Sequence, residues 1–234
     1  MSQSKGICAF AYNNEEINYV LMAYICALHV KTHLKNNDFC LITDDGSIGY
    51  AKELFGIEKL NRVFDTVMVT SDPRKDSDSK NIRVHFDSPW TEFQAPFINN
   101  NKHEVFNISP YDKTILIDLD YLVMSNMLDS YFELNAPVNM FSNAKNVRGD
   151  NPLWREIWLN DLGIKMKWST VVAFDKSEAA KTFFDLCGID SKAINKKVLE
   201  EGGPYHYFIN NHASGFEANA WPNNSNSGLS RYCL

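Results

Sequence analysis

Tyr111-Asp112-Lys113-Thr114-Ile115-Leu116-Ile117-Asp118-Leu119-Asp120-Tyr121-Leu122-Val123 is the stretch on which the reading of the fold depends. A turn at Pro110-Tyr111-Asp112 feeds the apolar residues 115–117, which read as a strand buried on both faces. Two carboxylates follow, one residue apart. If the strand runs on through them, alternate residues share a face, so Asp118 and Asp120 point at one spot while Leu119 turns into the core. Acids forced together repel each other, and a hard divalent ion such as Mn²⁺ or Mg²⁺, which takes oxygen ligands and shares them with phosphates, relieves that repulsion. The plainer alternative is two solvated acids at a strand end.

Upstream, an apolar run over 6–12 closes at Asn13-Asn14, and Glu15-Glu16 opens a segment ending in Lys31, His33 and Lys35. Acids first and bases last suit the helix dipole, and either Asn can cap. Residues 19–25 are apolar on every side, so this helix is predicted to be buried on more than one face. The pattern repeats: a strand over 39–43, a turn at Asp44-Asp45-Gly46, a helix over 48–55 stopped by Gly56, and a strand over 63–69. Residues 71–81 alternate charges without apolar anchors and read as a solvated loop, the other possibility being a lid over a nucleotide. Helices are predicted over 96–106, 127–134 and 178–187, and strands over 138–141 and 171–174. The last thirty residues, rich in Asn, Ser and Gly, read as a tail laid over the domain. Strands alternating with helices predict an α/β fold with a mostly parallel central sheet flanked by helices, whose ligands bind beyond the carboxyl ends of the strands.

The 234 residues, 44% hydrophobic and 22% charged, suit a single domain over 1–234 with one sizeable core. A formal charge of -6 disfavours the clustered Lys and Arg that non-specific nucleic-acid binding needs, so no stable nucleic-acid partner is expected. Five cysteines form no CxxC pair and their odd number cannot all pair within one chain, so neither a zinc knuckle nor a disulfide framework is expected and the compartment reads as reducing. The start MSQSKGICAF does not read as a secretory signal, and the longest nearly apolar run, 19–30, is shorter than the ~20 residues of a bilayer span. The expectation is a cytoplasmic protein with no membrane span. Asn is common, as in Asn99-Asn100-Asn101, which by itself says nothing about chemistry. There is no Walker loop, no Gly-x-Gly-x-x-Gly and no Gly-x-Ser-x-Gly.

Two reaction classes use an Asp-x-Asp at a strand end. In haloacid-dehalogenase-like phosphatases the first Asp, here Asp118, is the nucleophile. That pattern ends in Thr where this chain has Leu122, and the family opens its core with the motif, which here comes mid-chain. The second class is sugar transfer from nucleotide sugars. The run from Tyr111 to Val123 resembles the tyrosine-led strand and Asp-x-Asp-x-Leu-Val of glycosyltransferase family 8, the glycogenin and bacterial lipopolysaccharide galactosyltransferase family, whose fold is called GT-A. Lys102 stands sixteen positions before Asp118, where that family places a donor-contacting Lys. Phe10-Ala11-Tyr12-Asn13-Asn14 followed by Tyr19 is similar to its first strand and nucleotide-contacting loop, and Phe64-Asp65-Thr66-Val67-Met68-Val69 to its third strand.

Beyond residue 135 the resemblance frays. The family's Asn-Ser-Gly strand, which lines the sugar pocket, corresponds to Trp168-Ser169-Thr170. Its Gly-Gly-Asp-Gln corresponds to Gly202-Gly203-Pro204-Tyr205, without the acid. Its closing His-x-x-Gly-x-x-Lys-Pro-Trp is half present as His212-Ala213-Ser214-Gly215, with Trp221-Pro222 further on and no Lys between. The resemblance implies a donor-binding half over 1–135 and a divergent acceptor-side half over 136–234. It implies a nucleoside-diphosphate sugar donor, a uridine one, and a carbohydrate or other hydroxyl acceptor; a modified DNA base is the less favoured acceptor. Asp118, Asp120 and His212 would hold Mn²⁺ or Mg²⁺. Phe10, Tyr12, Asn13, Lys102 and Trp168 would line the donor, and His206, Glu200 or Glu201 would be a candidate base. A non-catalytic nucleotide-sugar-binding module is the third reading, motivated by the missing acid. Among lesser features, His29 and His33 stand four apart without the Glu of His-Glu-x-x-His, and Trp90, Trp154 and Trp158 suit a core better than a sugar stack.

Overall fold

The computed structural model describes residues 3–15, 17–71, 82–88, 91–96, 101–142, 165–188 and 220–221. The first strand, β1 (Lys5–Ala11), is nearly all buried. Helix α1 (Tyr19–His33) follows, then β2 (Phe39–Thr43), α2 (Asp45–Phe55), α3 (Ile57–Val63) and β3 (Thr66–Val69). A hairpin of β4 (Ile82–Ser88) and β5 (Thr91–Pro96) forms a separate two-stranded sheet. A 3₁₀ turn (Lys102–Glu104) runs into α4 (Val105–Ile108), and then come β6 (Lys113–Ile117), a 3₁₀ helix (Asn126–Glu133), β7 (Val138–Ser142) and β8 (Lys165–Asp175). Helix α5 covers 178–188, and β9 (Ala220–Trp221) closes the described chain.

Among the described residues the main sheet is ordered β3-β2-β1-β6-β8-β7, with β9 against the start of β8. The pairings β2–β3, β1–β2 and β1–β6 are parallel, whereas β8 runs antiparallel to β6, β7 and β9. Side chains alternate between two cores, as a sheet covered on both faces requires. Ile7, Ala9, Phe39, Leu41, Ile115 and Ile117 join α1, α2 and α3 on one face. Cys8, Cys40, Ile42, Leu116, Val172 and Phe174 join α4 and α5 on the other. Each fully buried Ile, Leu or Phe contributes about 1.5–3 kcal/mol of burial free energy, and these rows make the sheet a rigid platform. Gly6 leaves room for the ring of Tyr111, since a Cβ there would lie 2.4 Å from it.

Several boundaries differ from those read in the sequence, each for a local reason. Helix α1 has no acid in its first turn, because Glu15 precedes it; its cap is Asn18, whose side chain accepts the Leu21 N–H at 2.9 Å. Asn13 assists by accepting the Val20 N–H at 2.9 Å. The inner face of α1 is buried, but Leu21, Ile25 and Leu28 on the outer face are exposed, so the helix is covered on one side rather than several. Asp44 is not part of a turn but the N-cap of α2, accepting the Ser47 N–H at 3.0 Å. Gly56, at φ 78°, ends α2 and at once starts α3, so Val63 is helical and the third strand shrinks to four residues. The helix expected over 96–106 is replaced by the end of β5 and the short 102–108 helical stretch, with Pro96 closing the strand. The segment expected as a helix over 127–134 is 3₁₀. The loop expected over 72–81 and most of the expected C-terminal tail lie outside the described residues. No helix among the described residues is long and apolar enough to cross a membrane.

Candidate functional site

β1 has β2 on one side and β6 on the other, so the chain leaves the sheet in opposite directions at its centre, and this is where doubly wound sheets open a crevice. Strand β6 ends at Ile117, and the Asp-x-Asp does not continue it. The Tyr121 N–H donates to the Asp118 carbonyl at 3.3 Å, closing a reverse turn. Asp118 to Tyr121 is therefore a turn and not a continuation of the pleat, a correction to the strand reading. Leu119 packs against the inner core as expected. The neighbouring strand is β8, where Met140 pairs with Val172 but the next residue, Phe141, pairs with Trp168, so residues 169–171 bulge from the β7 ladder while Val171 still pairs with Ile117 of β6. Within that bulge Thr170 holds the motif twice. Its carbonyl accepts the Asp118 N–H at 2.9 Å, and its hydroxyl lies 2.8 Å from the buried hydroxyl of Tyr121.

Lys102, in the 3₁₀ turn, is 5% exposed and its Nζ donates to Asp118 Oδ1 at 2.6 Å. A buried ammonium is tolerated only with such a partner. The spacing of sixteen residues thus becomes a direct ion pair at the mouth of β6. Beside it runs a polar chain across the strand ends. Asn101 Nδ2 donates to the Tyr12 hydroxyl at 3.2 Å, that hydroxyl lies 2.9 Å from Thr70 Oγ1, and the Thr70 N–H donates to the Thr43 carbonyl at 2.8 Å. Burial pushes the Tyr12 phenol above its ordinary value, so it stays neutral. Tyr12 therefore meets the protein through its hydroxyl and holds the segment carrying Lys102. Phe10 lies beside it, ring centroids 6.2 Å apart.

Asn13 lies over α2, its N–H donating to Ser47 Oγ at 2.8 Å, while that hydroxyl donates to Asp44 Oδ2 at 2.7 Å. These contacts tie the loop after β1 to the N-terminus of α2 and form the floor of an open cleft of about 510 Å³ lined by Asn13, Asn14, Asp44, Ser47 and Tyr50, among others. Asp120 is exposed, and its charge adds to the burial that pushes the Cys26 thiol up to about 12. Ser169, beside Thr170, is 1% exposed, and its hydroxyl has no hydrogen-bond partner among the described residues. His29 Nδ1 lies 3.2 Å from the Val123 carbonyl, tying α1 to the chain that leaves the motif.

The structure thus joins Lys102 to Asp118 directly and Tyr12 to them through Asn101, with Asn13 one strand-end away. The backbone of Trp168 sits in β8 opposite Phe141. His206, His212, Glu200, Glu201, Trp90, Trp154 and Trp158 lie outside the described residues. Among the described residues no group of three or more His, Cys, Asp or Glu side chains gathers as a metal cage. The two carboxylates fit the hard-oxygen part of such a set, which phosphate oxygens commonly complete. Sequence reasoning missed Asn101 and Thr70, and it named Thr170 only as part of the Trp168-Ser169-Thr170 strand, without a role of its own. Thr70 adjoins the end of β3, while Asn101 was hidden in an Asn-rich run.

No known family profile matches the sequence, and no curated protein matches it. Solved structures do match. Galactosyltransferase LgtC in complex with donor and acceptor sugar analogues is similar over 88% of this chain and 69% of its own, with a TM-score of 0.52 at 11% identity. The apo bifunctional glycosyltransferase WbbM is similar over 82% of this chain, which spans 35% of the WbbM chain, with a TM-score of 0.50 at 11% identity. The fold is that of the GT-A glycosyltransferases.

Proposed function

We propose that this chain transfers a sugar from a nucleoside-diphosphate donor, a uridine one, to a hydroxyl acceptor, with Mn²⁺ or Mg²⁺ held by Asp118 and Asp120. The observation that carries the reading is the Asp118–Asp120 turn beyond β6, with the buried Lys102 ammonium 2.6 Å from Asp118, at the crevice of a GT-A fold. When bound, the divalent ion supplies charge stabilisation for the departing diphosphate. Lys102 adds a fixed positive charge at the same place, and Thr170 and Tyr12 keep the two groups from moving. Preorganised charge of this kind stabilises a leaving group without reorganising during the reaction.

The cleft between Asn13, Asp44 and Tyr50 takes the nucleoside in this reading. Its volume lies within the ~300–1,000 Å³ of ordinary ligand pockets, and it opens beyond β1 and β2 at the same carboxyl edge of the sheet where the acidic turn follows β6. Phe10, Tyr12 and Asn13 form the nucleotide side, and Trp168 lies on the sugar side. His212 is the candidate third metal ligand and His206 the candidate base. Residues 1–135 serve as the donor half and 136–234 as the acceptor-side half of one domain, with a carbohydrate or lipid-linked sugar as the acceptor class.

The test is calorimetric titration of UDP and a panel of UDP-sugars with and without Mn²⁺, alongside slow release of UDP from the donor. Asp120→Asn is the cleaner variant, because Asp120 is exposed and its exchange should leave the fold intact. Metal-dependent UDP binding should be lost in Asp120→Asn and in Asp118→Asn. Undiminished binding in both variants refutes the reading. Release of phosphate from phosphomonoesters, with metallofluoride trapped at Asp118, would assign the phosphatase chemistry instead.

A further inference from the structure

Helix α1 presents solvent with chemistry suited to a core. Between Asn18 and Val30 it carries no Asp, Glu, Lys or Arg. Its sheet-facing side is made of small residues, Val20, Ala23, Cys26, Ala27 and Val30, all fully buried, which lets the helix lie close to the strands. The larger aliphatic side chains point the other way: Leu21, Ile25 and Leu28 are 37%, 42% and 43% exposed, and Ile17, just before the Asn18 cap, is 40% exposed. Within α1, spacings of four and three residues place Leu21, Ile25 and Leu28 on a single stripe. Isolated exposed apolar residues are ordinary, but a continuous row without a charge marks a contact surface.

We propose that this stripe is self-complementary and seats a second copy of the chain, α1 packing antiparallel against α1 about a two-fold axis near Ile25. Charge placement selects this partner. The N-terminal end of the stripe carries exposed Glu15, and the C-terminal end carries His33 and exposed Lys35. A two-fold, antiparallel pairing brings the Leu21 end of each helix to the Leu28 end of its partner, so acid meets base at both ends of the contact. Lys31 is already engaged with Asp65 at 2.5 Å and stays out of the contact. The uncharged middle creates no like-charge pair, and the two helix dipoles oppose each other favourably. Because Ile17 also lines the cleft beside Tyr50, the rim of the contact adjoins that cleft.

The experiment is light scattering coupled to size exclusion on the full chain at about 100 μM, a concentration that populates a dimer of similar or tighter Kd. The wild type should show about twice the 26.8 kDa chain mass. Ile25→Glu should run at the single-chain mass while melting like the wild type, since its side chain touches little of its own core. Lys35→Glu should weaken the dimer several-fold, and adding Glu15→Lys should restore it, because the double exchange rebuilds both end contacts with the signs reversed. A monomeric wild type overturns the proposal, as does a dimer that survives Ile25→Glu. An Ile25→Glu variant with a markedly lowered melting temperature and no change in mass also overturns it, since the stripe would then be covered by the chain itself.

Discussion

Exchanging either partner of the Lys102–Asp118 pair should destabilise the protein unequally, and the order follows from burial. The Lys102 side chain is 6% exposed and that of Asp118 26%. Removing one member of a buried ion pair typically costs about 3–5 kcal/mol, because the other is stranded without water. In Lys102→Met the methionine refills the space of the aliphatic stem, and the stranded Asp118 recovers part of its hydration, so the cost falls to about 1–2 kcal/mol. In Asp118→Asn the stranded group is the deeper ammonium, and the cost stays near about 3 kcal/mol. At this chain length 1 kcal/mol shifts the melting temperature by roughly 2–4 °C. The expected drops are therefore about 2–8 °C for Lys102→Met and about 6–12 °C for Asp118→Asn. The double variant strands no charge and should cost less than the sum, with a coupling of about 2 kcal/mol. Urea titrations with a shared slope and thermal melts, both without metal or nucleotide, read these values. If Lys102→Met costs as much as Asp118→Asn, or if the two effects simply add, the ion pair does not form as described.

Gly6→Ala should lower stability by about 1–3 kcal/mol, since its Cβ must displace the buried ring of Tyr111 from 2.4 Å; an unchanged urea midpoint would show that the ring yields freely. Asp129 gives a pH signature. Partial burial pushes its carboxyl up, but the N–H groups of Lys35 and Asn36 and the Asn36 side chain more than offset this, and its pKa is lowered on folding. A carboxyl lowered on folding stabilises fully above its unfolded value near about 4, and that contribution is lost as pH falls through the folded value. Asp129→Asn should therefore flatten the acid limb of stability below about pH 4; an acid limb identical to the wild type contradicts the assignment.

What the sequence disclosed tracks how locally each feature is encoded. β1, β2 and β6 were legible because a strand buried on both faces is a short apolar run, and Asp118 and Asp120 because acids beside such a run are costly. Helix α3 was hidden because Gly56 was read only as a stop, whereas one residue at φ 78° serves both the helix that ends and the helix that begins. The β4–β5 hairpin left a signal that went unread: Ile82, Val84 and Phe86 alternate with Arg83, His85 and Asp87, a period-two pattern. The direction of β8 leaves no trace in periodicity, so neither its antiparallel pairing nor its bulge could be anticipated. The Lys102–Asp118 contact was legible only through family resemblance. Sixteen residues of separation fix no distance, and the pair forms because the 3₁₀ turn and the end of β6 meet in space. The Tyr12–Asn101 link is long-range in the same sense and was invisible.

The bulged β8 also determines when the site can exist. Segments that build it, around residues 12–13, 44–47, 101–102 and 118–120, are all synthesised well before Thr170, whose carbonyl fixes the backbone of Asp118. The pairing of Ile117 with Val171 spans more than fifty residues, whereas β1 finds β2 across a single helix. Closing the longer loop carries the larger entropic cost, so contact order places it late. A nascent chain can thus pair β1, β2, β3 and β6 while its acidic turn still lacks a floor, and cleavage before residue 165 would remove the carbonyl that fixes Asp118 together with the β8 and α5 side chains that cover one face of the sheet.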